Sequence, residues 1–498
     1  MKIISHIIAG KTLSAGDATA PVFNPATGMQ SGEVALGDAQ IVDMAVNVAR
    51  EAQIAWAATP PAKRASVMFA LREIMNACRD EIAETISAEH GKTHADALGE
   101  VTRALEVVEF ASGAPHLLKG NFSREVAGGV DTYADREPLG VVAGITPFNF
   151  PSMVPLWMIP VALVCGNAFI LKPSEKDPSS ANLIHDMLTQ AGLPAGVLNV
   201  VHGAKEAVDA ILDHPEIAAV SFVGSTPIAE YVYNRGCASG KRVQALGGAK
   251  NHMIILPDAD IDQAADALLG AGFGSAGERC MAISVAVPVG EKTADLLVEK
   301  LAPRVSALKI GPPTDSEAEM GPLINAAHRD RVARLIGEGE AEGAQVVVDG
   351  RELSMQGYEN GYWLGGTLLD HVRPGMSVYD EEIFGPVLSV ARADSYDDAV
   401  AMINANPYAN GTAIFTRDGD AARDFTSRIK VGMVGVNVPI PVPVGYHSFG
   451  GWKRSSFGAH GIYGPEAVHF YTRLKTVTTR WPTGIRAGAD FKFPTMGS

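Results

Sequence analysis

Cysteine is scarce. Only Cys78, Cys165, Cys237 and Cys280 occur in 498 residues. No two form a Cys-x-x-Cys pair, and no Cys/His run has zinc-ligand spacing. That pattern argues against a disulfide framework and a metal centre, and it fits a reducing compartment. Positive charge is also short. Lys and Arg number 41 against 56 Asp and Glu, a formal net charge of −15. Nucleic acid and anionic membranes need a positive surface, so neither is an expected partner. Small anions stay open, because a few local Arg or Lys suffice for them. Long apolar runs are missing too. The most apolar stretch, Val154 to Cys165, is short and carries Pro155 and Pro160. It reads as a buried segment rather than a membrane span. The start, Met1 to Gly10, is too short and weakly apolar for a signal peptide. No low-complexity tract or internal repeat is visible. A cytoplasmic enzyme of two or three domains is the expectation at this length.

What is present is patterned. Residues 42–56, 62–89 and 99–110 carry apolar side chains at helical spacing. Residues 121–137 alternate apolar and polar around Gly128-Gly129, a hairpin signal. From Leu139 onward short apolar strands alternate with helices: strands at 140–146, 168–171, 196–201 and 218–223, helices at 179–191, 206–213 and 226–235. Such alternation predicts a parallel sheet with helices on its faces. Asn251 to Leu256 restarts the cycle, followed by a helix at 260–273 and a strand at 283–289. Residues 467–481 alternate again and read as an edge strand for the hairpin or for another subunit.

Five short motifs occur in one order: Thr146 to Pro151 (TPFNFP), Lys172 to Glu175 (KPSE), Phe222 to Ser225 (FVGS), Cys280, and Glu381 to Val387 (EEIFGPV). Together they resemble the aldehyde dehydrogenase superfamily over nearly the whole chain. Gly248 to His252, Arg279 to Ala282, Gly435 to Pro443 and the tail Phe470 to Thr476 most resemble its coenzyme A-acylating methylmalonate-semialdehyde dehydrogenase branch. The resemblance implies two α/β domains with parallel sheets and a small β element for oligomerisation. Residues 1–120 and 139–250 would form the NAD-binding domain and 251–450 the catalytic domain. Residues 121–138 and 467–498 would form the oligomerisation hairpin and tail of a homodimer or homotetramer.

Each candidate residue has a chemical reason and a plainer alternative. Cys280 is the expected nucleophile, whose thiolate attacks an aldehyde carbon and ends as a thioester. A free thiol is mostly protonated at neutral pH, so nearby charge such as NAD⁺ or Arg279 is expected to help. A buried structural cysteine is the alternative. The Asn149 amide is placed to steady an oxyanion; the alternative is a turn before Pro151. Lys172 and Glu175 suit the hydroxyls of an adenosine ribose, and Glu175 favours NAD over NADP. Lys176 complicates that preference by its charge. Ser225, before a helix, suits a pyrophosphate or simply caps the helix. The usual G-x-G-x-x-G fingerprint is absent there. Phe148, Gly247, Glu382 and Phe384 complete the expected cofactor cavity; core packing is the alternative for the two aromatics.

Ala245 is the informative departure. It stands where the resemblance leads one to expect a glutamate that activates water. Coenzyme A, a better nucleophile, is then the expected acyl acceptor. Glu278 or Glu466 acting as substitute base is the alternative. Arg103 and Arg279 are expected to fork a substrate carboxylate, although Arg103 also has Glu100 and Glu106 within one helical turn. The implied reaction is NAD-dependent, decarboxylating oxidation of methylmalonate or malonate semialdehyde to propanoyl-CoA or acetyl-CoA. The rivals are a hydrolytic semialdehyde dehydrogenase, a cysteine hydrolase or acyltransferase, and a non-catalytic protein on the same fold.

Overall fold

The computed structural model describes residues 2–13 and 18–481. Two large sheets organise it. The first has eight strands in the spatial order Ser456–Gly458, Arg242–Leu246, Ile217–Val223, Val141–Ile145, Ala168–Lys172, Leu198–Val200, His6–Ile8 and Lys11–Leu13. Its five central members, from Arg242–Leu246 to Leu198–Val200, are parallel. Both edges are antiparallel. The second sheet runs Gln345–Val348, Thr367–Asp370, Val387–Val390, Ile283–Pro288, Asn251–Ile255, Gly411–Phe415 and Met433–Val436. Only Gln345–Val348 is antiparallel within it. The two α/β units with parallel sheets expected from the strand–helix alternation are therefore present.

The parallel strands read as unbroken apolar runs because helices cover both faces. Val141–Ile145 and Ala168–Lys172 are buried at every position. The crossover between them is the helix Met153–Val164, buried along its whole length against the helix His94–Ser112. The most apolar stretch of the chain is thus an internal helix.

The third element is small. Strands Asn121–Ala127 and Val130–Pro138 turn at Gly128-Gly129, with Gly129 at φ +70°. The tail strand Thr472–Arg480 lies antiparallel on the hairpin, from Thr472 opposite Pro138 to Arg480 opposite Val130. The expected hairpin and its pairing with the tail are both found. Residues 482–498 of the expected oligomerisation tail fall outside the described residues.

Three local expectations need correction. Among the described residues five short strands, including Thr19–Asn24 and Met29–Ala35, precede the first helix, where the sequence pattern showed none. Strands of three to seven residues carry too few side chains to show a period. The helix expected over 62–89 is two helices, Pro61–Ala77 and Arg79–His90, broken at Cys78. A one-residue break barely disturbs the apolar spacing. The tail begins as a helix, Pro465–Phe470, with proline in its first turn, where a missing N–H costs nothing.

Candidate active site

The site is built around a strained approach to Cys280. The helix Ile261–Phe273 ends, and Ser275, Ala276 and Gly277 follow at φ 54°, 51° and 72°. Each left-handed non-glycine residue costs roughly 1–2 kcal/mol, so the surroundings must impose the loop. They do. Asn251 Nδ2 donates to the carbonyls of Cys280 and Ala282, both at 2.9 Å. Asn410 Nδ2 adds a bond to the Cys280 carbonyl at 3.2 Å. Gly277 is needed for closeness, since a Cβ there would lie 2.1 Å from the Gly385 carbonyl oxygen. Burial pushes the Cys280 thiol up to about 12, and the nearby Glu382 charge pushes the same way.

Asn149 follows the strand Val141–Ile145. Its Nδ2 donates to the Glu278 carbonyl at 3.0 Å. An amide nitrogen has two N–H groups, so one is left for an oxyanion. The main-chain carbonyl of Asn149 accepts from Lys92 Nζ at 2.6 Å. Lys92 also bonds Glu100 Oε2 at 2.8 Å, and Glu100 Oε1 accepts from the N–H groups of Ser152 and Met153. This buried pair fixes the turn that carries Asn149. Sequence reasoning missed it: Glu100 was read only as a helical partner for Arg103, and Lys92 carried no motif.

A cleft of about 650 Å³ opens onto Cys280 and Asn149. It gathers all eight residues expected to hold a cofactor. Lys172 Nζ meets Glu175 Oε2 at 3.3 Å. Lys176 lies 4.5 Å above the Phe148 ring, and Phe148 meets Phe384 edge-on at 5.9 Å. Ser225 precedes the helix Thr226–Ala238, and its hydroxyl makes no capping bond. Gly247 lies so close to Thr226 that a Cβ would be 2.9 Å from its Oγ1. Glu382 Oε1 accepts from the Ala249 N–H at 2.9 Å, and burial pushes this carboxyl up to about 7. His328 and Arg331 also line the cleft and were not anticipated. Arg331 supports the Glu382 segment by donating to the carbonyls of Glu382 and Ile383.

The profile of the aldehyde dehydrogenase family matches residues 12–477. The chain belongs to the aldehyde dehydrogenase family. Malonate-semialdehyde dehydrogenase of Pseudomonas aeruginosa is 56% identical, with all of both chains covered. The crystal structure of methylmalonate-semialdehyde dehydrogenase from Oceanimonas doudoroffii is 56% identical, with a TM-score of 0.96 over 97% of this chain and 99% of that one. A crystal structure from Sinorhizobium meliloti, complexed with NAD, is 57% identical at the same TM-score and coverage.

In this aldehyde dehydrogenase the departure at Ala245 is sealed. Ala245 is fully buried, opposite Phe222 on one neighbouring strand and Phe457 on the other. Of the two substitute bases weighed from sequence, Glu466 is engaged by His460 at 2.7 Å and His469 at 3.4 Å, and it does not line the cleft. Glu278 is fully buried, and burial pushes its carboxyl up to about 8. It accepts from the Ile324 N–H at 3.2 Å and has His90 at 3.8 Å and His328 at 3.6 Å.

Neither arginine expected to select the substrate reaches the cleft wall. Arg103 bonds Glu106 at 2.7 Å and donates to the Pro443 carbonyl at 2.5 Å. The Tyr463 hydroxyl also donates to that carbonyl, at 2.7 Å. Arg279 is held by Asp96. It lines a small pocket that shares Cys280, Glu382 and Phe384 with the cleft.

Proposed function

We propose that this enzyme oxidises malonate or methylmalonate semialdehyde with NAD, releases the carboxylate as carbon dioxide, and passes the acyl group to coenzyme A. The products are acetyl-CoA or propanoyl-CoA. The observation that carries the acceptor is Ala245, buried and without a carboxylate where a water-activating base is expected. The names of the relatives support the substrate, and the NAD complex of the Sinorhizobium meliloti protein supports the cofactor.

The donor set fits a dinucleotide. Glu175 and Lys172 would hold ribose hydroxyls, and Ser225 with the helix behind it would hold a pyrophosphate. Lys176 is turned onto Phe148, which leaves Glu175 to oppose a 2′-phosphate. Phe148, Phe384, Glu382 and Gly247 would enclose the nicotinamide end. When bound, NAD supplies the hydride acceptor that lets an acyl group remain on sulfur. The chain's own groups do the rest. Cys280 forms the bond to the aldehyde carbon. Asn149, oriented by Glu278 and Lys92, offers its free N–H to the oxyanion. Arg279 and Arg103 take the carboxylate, and the thiol of coenzyme A displaces Cys280. We assign residues 1–120 and 139–250 to dinucleotide binding, 251–450 to catalysis, and 121–138 with 467–498 to a homodimer or homotetramer contact. No helix among the described residues is long and apolar enough to cross a membrane. A cytoplasmic location fits the unpaired cysteines.

Glu382 favours a second reading, hydrolysis to a free acid. Its carboxylate lines the cleft together with Cys280, and burial pushes it up to about 7, where a base suits water activation. NADH formation from malonate semialdehyde with and without coenzyme A separates the two. Acyl transfer to coenzyme A gives about one NADH per site and then near arrest without it, and acetyl-CoA with it. Full turnover without coenzyme A would establish hydrolysis instead, with Glu382 as its base if Glu382→Gln abolishes that turnover while keeping the parental NAD affinity by fluorescence quenching.

A further inference from the structure

Arg279 immediately precedes the nucleophile, and its position is set by a residue outside every motif. Asp96 lies in the first turn of the helix His94–Ser112, where the Thr93 hydroxyl accepts from its backbone N–H at 3.3 Å. Asp96 Oδ1 accepts from Arg279 Nη2. Its Oδ2 is buried and has no hydrogen-bond partner. The pair is shielded, with side-chain exposures of 23% for Arg279 and 16% for Asp96. The guanidinium also lies against Gly274: a Cβ there would be 2.5 Å from Nη1 and 2.7 Å from Cζ. Any larger residue at 274 would displace it.

The guanidinium is thus clamped between one carboxylate oxygen and a bare stretch of backbone. A guanidinium has five N–H donors in a rigid plane. Among the described residues Asp96 is the one acceptor Arg279 uses. The rest of the fork remains for a second carboxylate. Holding a long, flexible side chain in place beforehand lowers the entropy lost when that carboxylate binds.

We propose that Asp96 is a specificity-determining positioning residue: it anchors one nitrogen of Arg279 so that the remaining fork receives the carboxylate of the substrate. The proposal rests on the reading that the substrate is a carboxylated semialdehyde. It predicts a selective effect. Propanal has the length of malonate semialdehyde and no carboxylate, so it gains nothing from a fixed fork.

The test is steady-state kinetics of Asp96→Ala, Asp96→Asn, Asp96→Glu and Arg279→Ala with both aldehydes, with kcat and KM read separately. Asp96→Ala should raise KM for malonate semialdehyde by about tenfold, the cost of one side chain left mobile, and change KM for propanal by less than about twofold. Asp96→Asn keeps the oxygen acceptor and should recover most of the loss. Asp96→Glu shifts the anchor by one methylene and should repeat the selective rise, which keeps the proposal open to refutation if the alanine variant does not fold. Equal changes for the two aldehydes, or none, would overturn it. Arg279→Ala separates the layers. If that variant discriminates between the aldehydes and the Asp96 variants do not, the positioning role fails alone. If Arg279→Ala does not discriminate, Asp96 has no carboxylate fork to position and the proposal fails; if the parent itself does not favour malonate semialdehyde over propanal, the carboxylate reading fails with it.

Discussion

At the scale of single residues the site is a set of groups held away from their solution behaviour. Asn149 shows how. One of its side-chain N–H groups is committed to the Glu278 carbonyl, which directs the other, and Lys92 holds its main-chain carbonyl, which fixes the turn that carries it. Asn149→Ala should lower kcat by about 10²–10³, the usual loss for one oxyanion donor, with little change in dinucleotide affinity by fluorescence quenching. Glu278 is the sharper case. Its ordinary value is 4.5, and burial pushes it up to about 8. Between those values the folded chain keeps a proton that the unfolded chain releases. Stability therefore falls as pH rises through this window, and the penalty is absent below it. Glu278→Gln removes the titration while keeping the shape. Its stability relative to the parent, read from melting curves, should rise progressively from about pH 5 to about pH 8, by an amount on the order of a few kcal/mol at most. A difference that does not vary with pH would show that the carboxyl ionises freely in the fold. The residues placed on the cleft were legible because they sit in short motifs. Lys92, Asp96 and Arg331 were not, because their work depends on partners between 52 and 183 positions away, which a single sequence does not reveal.

At the scale of elements the nucleophile loop carries the most strain. Three left-handed residues in succession turn the chain from the helix Ile261–Phe273 toward Cys280. Asn251, from the strand Asn251–Ile255, and Asn410, beside the strand Gly411–Phe415, hold it from one side. The Gly385 carbonyl touches it from the other. Gly277→Ala meets two obstacles, a positive φ and a Cβ directed at that carbonyl. It should destabilise the fold by at least about 1–3 kcal/mol, and kcat should fall more than NAD affinity because Cys280 is displaced. Calorimetry and quenching titrations read the two effects separately. An alanine variant with parental kcat would mean that the loop does not aim the thiol. The parallel strands and their helices were readable from periodicity alone. The break at Cys78 and the strands before residue 39 were not, because one-residue interruptions and three-residue strands leave no periodic trace.

At the scale of the whole molecule the hairpin and tail are the least self-sufficient part. They form a three-stranded antiparallel sheet whose two edge strands, Asn121–Ala127 and Thr472–Arg480, have no further strand beside them among the described residues. Phe122 and Tyr133 are directly paired across it and are 64% and 40% exposed. Val477 continues the same row on the tail strand. Leu474 and Trp481 add exposures of 59% and 58%. Open edges and uncovered apolar rows are unfavourable in a monomer, and a symmetric copy covers both. The subunit mass is 52.3 kDa. Light scattering on the eluted protein should give two or four times that mass. Phe122→Arg should lower it, because a charge is placed on the row without disturbing a buried core. The cleft lies on the other sheets, so NAD quenching should survive the change. If the variant keeps the parental mass, the contact between copies lies elsewhere and the exposed row has another cover. If the parent is itself a monomer, the tail strand serves only to close the hairpin of its own chain.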